Sequence, residues 1–150
     1  MRQTNQAGID LIKRWEGFRA KAYRCPAGVL TIGYGHTSRA GRPLVFEGMV
    51  ISESEGEEIL KRDLEKYEDG VVDALGPSVN KLSDNQFAAC VSLCYNIGPG
   101  AFARSSVARY IQSGQINAAA SRFAAWNKAG GRVLKGLVNR RAEETTLYRS

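Results

Sequence analysis

Four residues near the start of the chain carry side chains that can do chemistry: Glu16, Cys25, Thr31 and His36, all within the stretch WEGFRAKAYRCPAGVLTIGYGHT at 15–37. Glu16 stands where an apolar-striped helix should stop, with Ile9, Leu11, Ile12 and Trp15 as the stripe and Gly17 as the terminator. There the negative end of the helix dipole disfavours an ionised carboxylate, and Trp15 and Phe18 add apolar flanks. A carboxyl group kept as the acid is what a general acid must be, and glycoside hydrolysis is the common reaction that needs one. The same residues also fit an exposed glutamate without chemistry.

Glycosidases usually pair the acid with a second carboxylate. Here the next candidates are a thiol, Cys25, and a hydroxyl, Thr31. The chain between Glu16 and Cys25 could span about 30 Å if extended, so spacing alone does not bring them together. Only a tight hairpin folded back on the helix end would do so. Cys25 also fits an inert packing thiol. With an ordinary pKa near about 8.5 a thiol is only a few per cent thiolate at neutral pH, so Cys25 would need help to act as a base. Paired with His36, the only histidine, it could instead form a thiol nucleophile and base, as in amidases or peptidases that digest cell walls.

The elements that must position these groups can be read from pattern. Residues 5–16 predict a short helix. KAYRC, the turn PAG and VLTIGYGHT predict a hairpin. A long helix over about 52–75 opens with a Ser52–Glu55 capping box and keeps Ile59, Leu60, Leu64, Tyr67, Val71 and Leu75 at helical spacing. SDNQ at 83–86 starts another, with Phe87, Cys90, Val91, Cys94 and Tyr95 on one face and NIGPG at its end. Short helices fit 105–113 and 115–126, and a last one fits 136–148 after the loop NKAGGRVLKG. One early hairpin followed by consecutive helices predicts an α+β fold.

The 150 residues fit one domain, with 43% hydrophobic and 24% charged residues and no internal repeat. The opening MRQTNQAGIDLIKRWEGF lacks a signal-peptide core, and no run is long enough to span a bilayer. The expectation is a cytoplasmic protein with reduced cysteines, Cys90 and Cys94 serving as small buried apolar residues. No CxxC or HExxH pattern exists, so no metal and no cofactor are expected. The net charge of +6 points to a polyanionic partner. The densest basic spot, NRR at 139–141, has no nucleic-acid module around it, so specific nucleic-acid binding is not expected. In the last helix Glu143 and Glu144 accompany Arg140 and Arg141, which limits membrane perturbation by that helix to an accessory effect.

Glu16, eight residues, Cys25, five residues and Thr31 resemble the E-x8-D-x5-T catalytic signature of the phage-type, T4-like lysozymes, with cysteine in the aspartate position. TIGYGHT at 31–37, CYNIGPGAF at 94–102, RFAAWNKAGG at 122–131 and GLVNRRAEETTLY at 136–148 resemble further blocks of that family, in its order. The resemblance implies a two-lobed lysozyme-like fold: a β-containing lobe at about 17–51, a linking helix at about 52–75 and a helical lobe at about 76–150 that takes in the N-terminal helix, with the active cleft between the lobes. It implies cleavage of the β-1,4 bond between N-acetylmuramic acid and N-acetylglucosamine in bacterial peptidoglycan. Glu16 would be the general acid, while Cys25 and Thr31 position or activate water. Arg140 falls on the family's arginine that faces the catalytic glutamate, and Tyr95, Asn96 and Ser105 on positions lining its cleft. His36 falls in a block where it serves as a stabilising polar residue. A monomer is implied, waiting in the host cytoplasm until a holin opens the way to the wall. A relative that only binds glycan stays open as an alternative, because the aspartate is missing.

Overall fold

The computed structural model describes residues 2–150. They form two compact units, one of Ile12–Glu65 and the other of Lys66–Ser150 with the residues up to Leu11. The order is α1 (Gln6–Glu16), β1 (Arg19–Arg24), β2 (Leu30–Gly33), α2 (Glu53–Leu75), α3 (Asp84–Ile97), α4 (Pro99–Arg104), α5 (Ser106–Gln112), β3 (Lys128–Ala129), β4 (Arg132–Val133) and α6 (Lys135–Arg149). Three 3-10 segments lie between them at Ser38–Ala40, Gly76–Lys81 and Ala118–Ala125. The α+β expectation holds: helices dominate, and β1 pairs antiparallel with β2.

In the unit Ile12–Glu65 the core is Ile32, Val45, Ile51 and Ile59, with Phe18, Ala22, Leu30 and Met49 packed against it. The other edge of β1 is covered by 49–51: Ala22 N–H donates to the Met49 carbonyl at 2.9 Å and Ile51 N–H to the Ala20 carbonyl at 2.9 Å. The register shifts between Arg19 and Tyr23, where β1 carries two residues more than β2. β2 is shorter than TIGYGHT suggested. It ends at Gly33, and reciprocal bonds between Ile32 and His36, both 2.9 Å, fold Gly33, Tyr34 and Gly35 into a tight reversal. Glycines at φ 65° and 90° permit it.

Gly56, in the first turns of α2, lets the helix approach Phe18: a Cβ there would lie 2.7 Å from the ring carbon Cε1. That ring also meets Tyr34, centroids 5.3 Å apart, so it has little room to give. Gly56→Ala is expected to destabilise this unit by about 1–3 kcal/mol through overpacking, despite alanine's better helix propensity. Urea denaturation checks this, and an unchanged midpoint would mean that the contact relaxes freely.

In the other unit α3 is the central helix. Ser83 caps it in a full capping box with Gln86, and every residue from Phe87 to Cys94 is buried, where the pattern had predicted one apolar face. The small Ala88, Ala89 and Ser92 let neighbours close on its remaining sides. Phe123 and Tyr148 pack 5.4 Å apart, and the Tyr148 hydroxyl donates to the Ile116 carbonyl at 2.6 Å. NIGPG does not lead into a loop, because Pro99 takes the first position of α4, where its missing N–H is no loss. The stretch predicted as a helix at 115–126 is the tighter 3-10 segment Ala118–Ala125. The loop NKAGGRVLKG contains the two-residue pair β3 and β4 around Gly130 and Gly131.

Candidate active site

α1 ends as Gly17 takes φ 73° and its N–H donates to the Lys13 carbonyl at 3.0 Å, the αL stop. Glu16 therefore occupies the last helical position, exposed, with Trp15 half-buried beside it. Three residues on, β1 begins, and the first pair of the hairpin, Arg19 with Gly33, ties that helix end to the strand carrying Thr31.

The far end of the hairpin is a turn built around the thiol. Gly28 N–H donates to the Cys25 carbonyl at 2.7 Å, Cys25 N–H donates to the Val29 carbonyl at 3.0 Å, and Gly28 sits at φ 80°. This is a type I turn with a following αL glycine, which turns the backbone of Ala27 and Val29 toward the Cys25 side chain. The backbone of Val29 and Ala27 holds the Cys25 thiol below the ordinary range. Partial burial works against this. Thr31 is buried, and its Oγ1 donates to the Val29 carbonyl at 2.9 Å. The thiol and the hydroxyl are thus brought together, and the help that the sequence required of Cys25 comes from backbone.

A brace missed from sequence fixes the helix end. Lys13 lies three residues before Glu16, and its Nζ sits 2.9 Å from Glu53 and 2.7 Å from Glu57 of α2. The Tyr34 hydroxyl donates to Glu53 at 2.6 Å. Both carboxylates raise the Lys13 pKa, and burial followed by the Glu53 bond pushes Tyr34 up to about 12. The helix that carries the acid and the reversal that ends β2 are therefore fastened to the same turn of α2.

His36 is not a base for Cys25. It is buried, its Nδ1 lies 2.7 Å from Asp63 Oδ2, and its Nε2 lies 2.8 Å from the Pro43 carbonyl. Two acceptors on two ring nitrogens favour the imidazolium. Burial opposes the charge, but the bonds to Asp63 and Pro43 outweigh it and leave the pKa raised. Because the folded value lies above the unfolded one, this stabilisation is full below about pH 6.5 and is lost as pH rises through the folded value. The melting temperature should therefore fall between pH 6 and mildly alkaline pH by more in the wild type than in His36→Asn. Parallel pH curves for the two proteins would show that His36 contributes nothing by this route.

In the other unit, Asn96 is exposed and Tyr95 is half-buried, edge-on to Tyr67 with centroids 4.9 Å apart. Ser105, expected to line the cleft, stands directly before α5. It is 2% exposed and caps α5, its hydroxyl donating to the Phe102 carbonyl at 2.7 Å and accepting from Ala108 N–H at 3.1 Å. Arg140 is also buried, in a cluster where its Nε lies 3.3 Å from Glu144 Oε2. Arg141 Nε lies 2.6 Å from Glu144 Oε1, and the Ser92 hydroxyl donates to Glu144 Oε2 at 2.5 Å. Cys90 and Cys94 are buried, and burial pushes Cys94 up to about 12, so neither is a reactive thiol.

The sequence profile described as Phage lysozyme matches residues 13–144. The endolysin of Salmonella phage P22 is 39% identical over 150 residues, covering all of both chains. The endolysin of Bacillus phage PZA is 45% identical over 150 residues, 99% of this chain and 55% of its own. The chain thus spans about half the length of that relative, and 53% of the endolysin of Bacillus phage B103. Among solved structures, a point mutant of P22 lysozyme is 40% identical with a TM-score of 0.87 over the full length of both chains. The muramidase domain of SpmX from Asticaccaulis excentricus is 34% identical with a TM-score of 0.85, covering 100% of this chain and 99% of that one. With an acid at a helix end, a thiol and hydroxyl joined across the hairpin that follows, and this similarity along the whole chain, the protein belongs to the phage lysozyme family.

Proposed function

We propose that this chain is a muramidase, an endolysin domain that hydrolyses the β-1,4 bond between N-acetylmuramic acid and N-acetylglucosamine in bacterial peptidoglycan. The observation that carries this reading is the closed turn at Cys25 on the hairpin that follows the Glu16 helix, whose backbone holds the thiol below its ordinary range. Glu16 gives its proton to the leaving oxygen as the bond to the anomeric carbon breaks. Water attacks the opposite face, and the proton it loses goes to the Cys25 thiolate. Thr31, with one proton to donate and two lone pairs, orients that water. Solvent exchange then returns a proton to Glu16 and removes one from Cys25. This is the inverting route. Asn96 and the exposed edge of Tyr95 meet the glycan, and Arg140, held by Glu144, serves an electrostatic role. On this reading the protein works as a monomer and reaches the wall after a separate holin permeabilises the membrane, lysing the host.

The test is the product released from purified peptidoglycan. Disaccharide-peptides ending in reducing N-acetylmuramic acid, first formed with inverted configuration by NMR and absent with Glu16→Gln, are expected. Intact glycan strands with newly freed amines would replace this reading with amidase or peptidase chemistry. Retained configuration would make Cys25 a nucleophile.

Cys25 gives a separate prediction. Iodoacetamide is expected to abolish lysis, faster at higher pH because the thiolate is the reactive form, and Cys25→Asp is expected to be active and resistant. Since the ionised group is the working one, the acid limb of the rate profile should move to lower pH in Cys25→Asp. Full activity after stoichiometric alkylation would remove Cys25 from the mechanism.

A further inference from the structure

The segment 43–50 holds large apolar side chains outward. Leu44, Phe46 and Val50 are 68%, 61% and 67% exposed. They are fixed there by the backbone. Val45, between the first two, is buried in the core of its unit, and its N–H donates to Ser38 Oγ at 2.8 Å, so alternation turns Leu44 and Phe46 outward. The Phe46 carbonyl accepts from Met49 N–H at 3.1 Å, closing the next turn. Val50 pairs with Lys21 across an antiparallel bridge, and directly opposed residues share a face of the sheet.

Cations accompany these side chains. Lys21, Arg39 and Arg42 are exposed, and none of them forms an ion pair among the described residues. The nearby acids are already engaged. Glu47 lies 3.2 Å from Arg24, Glu55 caps the Ser52 N–H at 2.9 Å, and Glu58 lies 3.5 Å from Lys61. Single exposed apolar residues are ordinary, but three within 44–50, with Lys21 opposite Val50 and Arg39 and Arg42 shortly before them in the chain, are the combination that interfacial binding requires.

We propose that this face docks the protein onto an anionic phospholipid surface. Leu44, Phe46 and Val50 enter the boundary between headgroups and acyl chains, and Lys21, Arg39 and Arg42 stay at the level of the lipid phosphates. Charge selects this occupant. A second copy of the chain would bring two sets of unpaired cations together, and aliphatic Leu44 and Val50 offer a sugar hydroxyl no hydrogen bond. The proposal is independent of the muramidase reading, because lipid binding is measured with no cell wall present.

The experiment is co-sedimentation of the full chain with vesicles of phosphatidylglycerol and phosphatidylcholine, against phosphatidylcholine alone, at low and high salt. Binding is expected only to the anionic vesicles and should weaken with salt. The triple variant Leu44→Ser, Phe46→Ser, Val50→Ser and the double variant Arg39→Gln, Arg42→Gln should each bind at least about tenfold more weakly. Phe46→Trp provides a readout without loss of the apolar face: its fluorescence should shift to the blue on anionic vesicles and be quenched by brominated acyl chains. Undiminished binding by the triple variant, or a Phe46→Trp emission that does not respond to vesicles, would overturn the proposal. So would concentration-dependent self-association, or binding to purified sacculi, abolished by the triple variant while vesicle binding is unaffected. The first of these would assign the face to a second copy and the other to the wall.

Discussion

A Glu16→Gln protein is expected to fold and to release reducing ends from peptidoglycan about 10²–10⁴-fold more slowly than the wild type, the usual contribution of one general acid. The amide keeps the size of the side chain and removes the proton that the leaving oxygen needs. The α1 stop at Gly17 is a backbone feature and survives the change. A reducing-end assay on purified sacculi, with circular dichroism as the check on folding, measures the effect. A loss below about threefold would mean that the proton comes from elsewhere, and the roles assigned around it would fall with it.

Removing the carboxylate of Glu144 should have the largest effect on stability. Glu144 is fully buried between two arginines, Arg140 and Arg141, that are themselves 4% and 1% exposed. Burial pushes its carboxyl up and the Arg141 guanidinium down, and the attraction between them opposes both shifts. In Glu144→Gln two buried cations lose their counter-charge, which costs about 3–5 kcal/mol. At roughly 2–4 °C per kcal/mol for a chain of this size, the melting temperature should drop by about 6–20 °C. A loss under about 1 kcal/mol would show that water reaches the cluster. The consequence extends beyond stability, because Glu144 and Ser92 also contact Arg140.

Glu16 and Thr31 show what kind of information each level carries. Their positions in chain order are matched by the family signature, and the caps at Ser52 and Ser83 mark two helix starts through contacts three residues apart. Nothing local announces that His36 will find Asp63, 27 residues away, or that Lys13 will clamp Glu53 and Glu57 of a later helix. Ser105 is matched by its position in the family blocks, but that its hydroxyl caps α5 is seen only in the structure. The segment 115–126 was helical in pattern, but only packing decides between an α-helix and the tighter 3-10 form.

By itself the sequence determined the α+β class, the extents of the long helices, the hairpin after α1, the family, and the three residues proposed for chemistry. All of these depend on residue types and spacings along the chain. Only the tertiary structure decided that the Cys25 thiol is held low, that both nitrogens of His36 are engaged, and that Leu44, Phe46 and Val50 face outward. The physical reason is that hydrogen-bond direction, desolvation and exposure are properties of the surroundings a side chain receives from distant segments. A thiol's own type does not say whether backbone will turn toward it, and the closed turn at Cys25–Val29 is what brings it there.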